Sequence, residues 1–519
     1  MSDRRVPGPA TGGGGRVGLE PSTRYFSSFV WNTVAKFGDF GLAYLFSVLL
    51  ARMLAPAGYG AYASILSICT LVFVFTSIGI DNTIHRFVGE ASGSTETRRR
   101  IPTLVRLLFF FRLVLIAVLV TATVLARGWI AERFADDAVA PLIAAAALYL
   151  VTQSLVSFAA GVLTGLLRTR AVAAFTLVLR IANLALAYRL LGSGAGVREI
   201  MLMLGFTSAA LFCGYLLKLL PLFRGAGTKI DSRSVAAFAV VAWGLAIVNF
   251  GLGKQSDVIL LNAIRHDTTE VALYDVAYTL TQTVAMLLTV GLTGIALTLF
   301  SRRHGTRPEG LGSLWESFVA LVGTAVLPLV LFLIVNARAC VQVVYGAQYA
   351  AAAALLPLYA VPMLVNWTLG GGASSTALHA ANRIRTVLWI RVATGAANVA
   401  LNVVLIRMWG PRGALVGTGV FAASAVALET TFVRRMLGGR VPLRHLAGVV
   451  PAALLAAIPS FFLRPVGAVA LIGHGVVFAA IYVLVLHATR PLPRLDEGLI
   501  RALPEPIAQR LAALTREPN

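Results

Sequence analysis

Cysteine and charge are both scarce in this chain. Cys69, Cys213 and Cys340 are its 3 cysteines among 519 residues. They stand apart, in or beside apolar runs and without CxxC spacing, which excludes a disulfide framework and a zinc site and leaves packing as their role. Charged residues make up 13% of the chain, about half the share of an average soluble domain. Acidic residues are the scarcer kind, with 22 Asp and Glu against 44 Lys and Arg. A net charge of +22 raises the question of nucleic acid, but the bases lie between apolar runs and form no single basic face, so no nucleic-acid partner is expected. Walker A, HExxH, GxSxG and Ser/Cys–His patterns are missing, so no catalytic residue, metal or cofactor is expected. GSGAG at Gly192–Gly196 sits in a turn without a Rossmann setting. Residues 1–24 are polar and Gly-rich and lack the apolar core of a secretory signal, so the first apolar run stays as a membrane helix.

What the chain has in abundance is hydrocarbon. Hydrophobic residues account for 58% and the mean hydropathy is +0.82, far above what a soluble domain carries. A spanning helix needs roughly 20 mostly apolar residues, and about fourteen such runs are present. They fall at 28–50, 62–84, 103–126, 139–165, 171–191, 199–220, 235–262, 271–299, 314–336, 351–380, 384–407, 412–433, 446–463 and 466–488. The fold class is therefore all-α, a polytopic membrane protein. The bases cluster at Arg98-Arg99-Arg100, in the Lys218 to Arg233 loop, at Arg302-Arg303, at Arg383 with Arg385, and at Arg434-Arg435. These clusters recur after every second run, which by the positive-inside rule puts both termini in the cytoplasm.

Short Gly-rich turns repeat at the opposite ends. LLARMLAPAGYGAYASILS (Leu49–Ser67), YRLLGSGAGV (Tyr188–Val197) and LIRMWGPRGALVGTGV (Leu405–Val420) each close an odd-numbered run and return the chain at once. Leu49, Leu50 and Tyr62 reappear as Leu260, Leu261 and Tyr274, an offset of 211 to 212 residues that maps the first run onto the seventh. The expected organisation is a cytoplasmic N-terminus (1–24), an N-lobe of six helices (25–220), a cytoplasmic linker (221–234), a pseudo-symmetric six-helix C-lobe (235–435), two further helices (436–490) and a cytoplasmic tail (491–519). Within that tail, Ile507–Leu514 is amphipathic and suited to the inner membrane surface.

These segments resemble a known family. LLARMLAPAGYGAYASI after the first helix, the turn Ser77-Ile-Gly-Ile-Asp81, VVYGAQYAAAAALLPLYA (Val343–Ala360), the stretch from Asp257 to Tyr274, and NVALNVVLIRMWGPRGA (Asn398–Ala414) are similar to the Wzx-type polysaccharide flippases of the multidrug/oligosaccharidyl-lipid/polysaccharide superfamily. The resemblance runs from about residue 25 to 435. It implies a two-lobed exporter in the cytoplasmic membrane. Its cargo would be an undecaprenyl-diphosphate-linked oligosaccharide, carried from the inner to the outer leaflet by alternating access for cell-surface polysaccharide synthesis. It also implies membrane lipids and a glycan polymerase or glycosyltransferases as partners, and coupling to an ion gradient instead of ATP. The Ser-Arg and Arg-Asp pattern of the lipid II branch is not found, and Lys36 and Asp39 stand in the first helix instead.

Ionisable groups in the hydrocarbon region are costly and so become site candidates. The first helix carries Asn32, Lys36 and Asp39 on one stripe, where Lys36 and Asp39 can pair with each other. The fifth carries Arg180 and Asn183, and the eleventh carries Arg391, Asn398 and Asn402, again one stripe. Arg112 has no polar companion at helical spacing. Lys254 and Asp257 repeat the K-x-x-D spacing of the first helix, but at an offset of 218 residues, and they are expected near the outer mouth with Asp275. Asp275 can meet Lys254 or Arg265, and Glu429 can meet Arg434 or Arg435. Bases outnumber acids in this set, which favours an anionic cargo such as a lipid diphosphate: Arg suits phosphate and Asn suits sugar hydroxyls. Two other readings compete. A cation-coupled multidrug antiporter of the same superfamily would have a cavity dominated by carboxylates, and a membrane glycan polymerase or ligase would need external loops longer than any here.

Overall fold

The computed structural model describes residues 22–92, 95–134, 139–306, 308–463, 465–493, 495–502, 509–511 and 514. The side chains of Asn32 and Lys36 lie outside the described residues, as does most of 507–514. The described chain is nearly all helix, with twenty-one α-helices. The first half holds α1 (Ser22–Met53), α2 (Pro56–Ser77), α3 (Ile80–Ser92), α4 (Thr95–Arg98), α5 (Ile101–Leu125), α6 (Arg127–Phe134), α7 (Val139–Gly165), α8 (Thr169–Gly192) and α9 (Val197–Arg224). The second half holds α10 (Ser232–Gly251), α11 (Lys254–Arg265), α12 (Thr268–Thr306), α13 (Leu311–Val335), α14 (Ala337–Tyr345), α15 (Ala352–Thr368), α16 (Ala373–Ala380), α17 (Ile384–Trp409) and α18 (Pro411–Leu437). α19 (Leu443–Phe462), α20 (Ala468–Thr489) and α21 (Glu497–Ala502) follow.

Among the described residues twelve spans are long and apolar enough to cross a membrane. α1 and α12, at 32 and 39 residues, are longer than any of these. The chain is thus a multi-pass membrane protein, with twelve candidate crossings among the described residues against the about fourteen expected. Three crossings that read as continuous in the sequence are broken. The run 62–84 breaks at Ile78 and Gly79, both at positive φ. Glycine is required there because an added Cβ would stand 2.1 Å from the carbonyl oxygen of Ala239 on α10. The run 235–262 breaks at Leu252 and Gly253 between α10 and α11, and 351–380 breaks at the glycines between α15 and α16, where Gly370 and Gly371 have φ of 88° and 51°. Apolar count alone cannot detect such breaks, because a half-helix is as apolar as a whole one.

The same helix pairings occur twice. α7 packs on α9 as α15 packs on α18; α1 packs on α8 as α10 and α11 pack on α17; α2 packs on α7 as α12 packs on α15. The third crossing of each half is followed by a short helix, α6 or α14. On α7, Gly161 and Gly165 admit Ile84 and Val88 of α3, so the GxxxG spacing serves close helix contact. The halves meet through α2, which lies against α11 and α12. One apolar core spans both halves at the end bearing Leu54, Phe134, Leu191, Tyr345 and Ile406. At the Arg-rich end each half has its own core, around Ile84 and Leu219 in the first and around Phe318 and Val433 in the second. α19 and α20 pair with each other and rest on α13, where Tyr482 donates to the carbonyl of Thr324 at 2.8 Å. Past them, Asp496 pairs with Arg303 and its N–H donates to Ser317 Oγ.

Candidate functional site

Of the intramembrane bases read from the sequence, the four whose side chains are described, Arg112, Arg180, Lys254 and Arg391, each have a carboxylate partner. Asp39 on α1 pairs with Arg180 on α8 at 2.8 Å, a half-exposed contact, while the pairing with Lys36 expected from the sequence lies outside the described residues. Arg112, fully enclosed on α5, is held by Asp81 at 2.6 Å, and Ser77 donates to the other oxygen of the same carboxylate. The companion of Arg112 therefore comes from another helix, the start of α3 just past the break. Arg391 on α17 donates Nε to Glu429 on α18 at 3.0 Å. Glu429 is wholly buried, so it turns inward to the site and does not meet Arg434 or Arg435. Lys254 meets Asp275 at 2.7 Å. The excess of bases read from the sequence disappears once Asp81 and Glu429 join the set. Such pairing is what the hydrocarbon region demands, because each lone ion would carry its full desolvation cost.

Among the described residues of this set, Asp257 is the carboxylate with no base beside it. Asp257, fully buried on α11, accepts hydrogen bonds from Tyr274 at 2.6 Å, from Asn402 at 2.8 Å and from Thr418. Asn398 stands beside them: its Oδ1 accepts from Asn402 at 3.2 Å, and its Nδ2 donates to the Gly251 carbonyl at 3.1 Å, next to the α10–α11 break. Asn402 Oδ1 is buried with no partner. Asp257, Asn398 and Asn402 are thus brought into one buried cluster, separate from the Lys254–Asp275 pair. Gly417 lets α18 approach this closely, since a Cβ there would lie 1.9 Å from Asn402 Oδ1. In the first half Asn183 is buried and its Oδ1 has no partner.

A cavity of about 200 Å³ opens between α12, α15, α17 and α18, with Arg391, Tyr278, Gln282, Asn366, Trp367 and Thr418 on its wall. A second, of about 190 Å³, lies in the first half between α2 and α7, beside Cys69, Tyr149 and Gln153. Thr418 belongs both to the wall of the larger cavity and to the Asp257 cluster. Asp81, Glu429, Tyr278, Gln282, Trp367 and Thr418 are absent from the sequence-based set. Asp81 and Tyr274 stood in the quoted motifs, but nothing in their spacing named their partners.

The sequence profile of the family described as polysaccharide biosynthesis protein matches residues 49–354. Among solved structures, the lipid II flippase MurJ in an inward closed conformation superposes with a TM-score of 0.70 at 13% identity, over 88% of this chain and 98% of that one. An inward-facing multidrug resistance MATE family transporter of the MOP superfamily gives 0.63 at 13% identity, over 76% and 94%. A MOP superfamily transporter from Pyrococcus furiosus, described as having a binding pocket of reverse polarity, gives 0.53 at 12% identity, over 79% and 95%. At these identities the likeness is one of fold. No curated protein sequence matches the chain.

Proposed function

The chain belongs to the polysaccharide biosynthesis protein family, with the transporter fold of the MOP superfamily, and on that premise we propose that it is a flippase for an undecaprenyl-diphosphate-linked oligosaccharide. The glycan passes between two lobes, 25–220 and 235–435, joined by the linker 221–234, while the lipid tail stays in the bilayer. Helices α1, α8, α10–α11 and α17 line the path, with α19 and α20 appended to the second lobe. The termini and the Arg-rich end face the cytoplasm.

The observation that carries this reading is the family match over a fold whose halves share a core at one end only. Such a molecule alternates by separating that joint and closing the other. Arg391 and Arg180, each partly exposed beside a carboxylate, offer donors to phosphate or sugar once cargo enters. We assign coupling to Asp257: among the described residues this buried carboxylate has hydroxyl and amide neighbours but no base, which leaves its charge to be balanced by a mobile proton or small monovalent cation. That same lone acid gives the antiporter reading its support, whereas family membership speaks for glycan. Depletion of the protein decides between them. Undecaprenyl-linked glycans should accumulate on the inner leaflet, and a depleted strain that exports its surface glycan normally overturns the proposal.

A further inference from the structure

We propose that the cavity between α12, α15, α17 and α18 is a subsite for a single neutral sugar ring of the cargo. The inference rests on the flippase reading and specifies which chemistry the second lobe recognises.

The cavity wall is aromatic on one side and hydrogen-bonding on the other. Tyr278 on α12 stacks on Tyr359 of α15 with ring centroids 4.5 Å apart and planes 22° from parallel, and Tyr274 continues the stack at 5.9 Å. Rings clamped this way give a fixed apolar surface at little entropic cost. Trp367 adds an indole whose Nε1 is buried with no partner. Gly371 allows that placement, because a Cβ there would lie 2.5 Å from the indole. Among the described residues the Arg391 side chain bonds only through Nε, to Glu429, which leaves its two terminal nitrogens as donors. Glu429 itself is wholly buried behind Arg391 and takes no part in the wall. Gln282 adds an amide to the wall.

Three ligand chemistries can be compared with that wall. A phosphate only accepts hydrogen bonds, and it would meet a cation already neutralised by Glu429. An acyl chain would leave the two terminal nitrogens of the Arg391 guanidinium facing hydrocarbon without an acceptor, which is costly. A pyranose offers C–H faces to the aromatic side and hydroxyls that both donate and accept to the polar side. A cavity of about 200 Å³ has room for one such ring. The lobe therefore reads one sugar residue of the glycan, and Thr418 links that ring to the Asp257 cluster.

The test is saturation-transfer NMR on the full-length protein in lipid nanodiscs, with the methyl α-glycosides of glucose, galactose, mannose and N-acetylglucosamine as probes. Transfer to ring C–H protons is expected for at least one probe, weakened roughly threefold to tenfold by Tyr278→Ala and by Trp367→Leu. Gln282→Leu, which keeps all the stacked rings and removes the wall amide together with its 3.3 Å hydrogen bond to the Tyr278 hydroxyl, should weaken binding in a protein that still folds. Absence of transfer from every probe, transfer indifferent to all three variants, or displacement of the sugar by inorganic pyrophosphate would overturn the subsite. Glycan accumulation on depletion together with no sugar binding overturns the subsite and leaves the flippase reading standing. Sugar binding without accumulation overturns the flippase reading instead.

Discussion

Tyr59 on α2 donates a hydrogen bond to Asp275 on α12 at 2.9 Å, while the same carboxylate holds Lys254 of α11 at 2.7 Å. A charge pair belonging wholly to the second half is capped by a phenol from the first. Ser47 on α1 lies 2.8 Å from the same phenol oxygen, and Asn262 donates to Ser64 nearby at 3.0 Å. Separation of the halves at this end breaks each cross-half contact at once, so the group acts as a latch.

Loosening the latch should be visible without unfolding the protein. Tyr59→Phe removes one hydrogen bond and leaves the Lys254–Asp275 pair whole, at a cost of about 1 kcal/mol, or roughly fivefold in the open population. A cysteine replacing Ser64, which is fully buried in the closed end, should label faster with a membrane-impermeant maleimide in that background. Equal labelling would show that the phenol does not hold the end shut.

Gly60 gives a steric test of the same contact. A Cβ there would stand 1.7 Å from the Thr268 carbonyl oxygen at the start of α12. Gly60→Ala must push α2 away, costing roughly 1–3 kcal/mol as overpacking does. Gly89 in α3 meets nothing within 4 Å, so Gly89→Ala should be neutral or stabilise by about 0.5–1 kcal/mol. Melting temperatures of the two variants falling in the reverse order would contradict this packing.

The Arg112–Asp81 pair should fail asymmetrically. Arg112 has no exposed surface, whereas the Asp81 side chain keeps 22%. Asp81→Asn strands a buried guanidinium and should cost about 3 kcal/mol, while Arg112→Met leaves a carboxylate that still reaches polar surroundings and should cost less. The double variant Asp81→Asn with Arg112→Met should recover most of the loss. Thermal unfolding in detergent measures all three, and equal single losses would show that burial does not set the cost.

Asp257→Asn should separate coupling from folding. Asparagine keeps an acceptor for Tyr274 and Thr418, so the melting temperature should stay within a few degrees. Transport in proteoliposomes should lose its dependence on the imposed sodium or proton gradient. A retained dependence would move the coupling group elsewhere.

What the sequence alone determined is what depends on neighbours along the chain. A run of apolar residues is long enough to span or it is not, and clustered bases mark the same end of alternate helices wherever those helices stand. Fold class, the multi-pass character and the 211-residue repeat followed from such local properties, and the family motifs were legible for the same reason. Helical periodicity also placed Arg391, Asn398 and Asn402 on one stripe, but a stripe does not name what faces it. Three of the four ion pairs at the site join different helices outside one local segment: Asp39 with Arg180, Arg112 with Asp81, Arg391 with Glu429. Lys254 and Asp275 meet only because the chain turns between α11 and α12. Tertiary structure decided these pairings, since lipid cannot solvate a charge and each base must find its acid on whatever helix packs beside it. It also left Asp257, among the described residues of the set, as the acid with no base beside it, and put a carboxylate beside the guanidinium of Arg391.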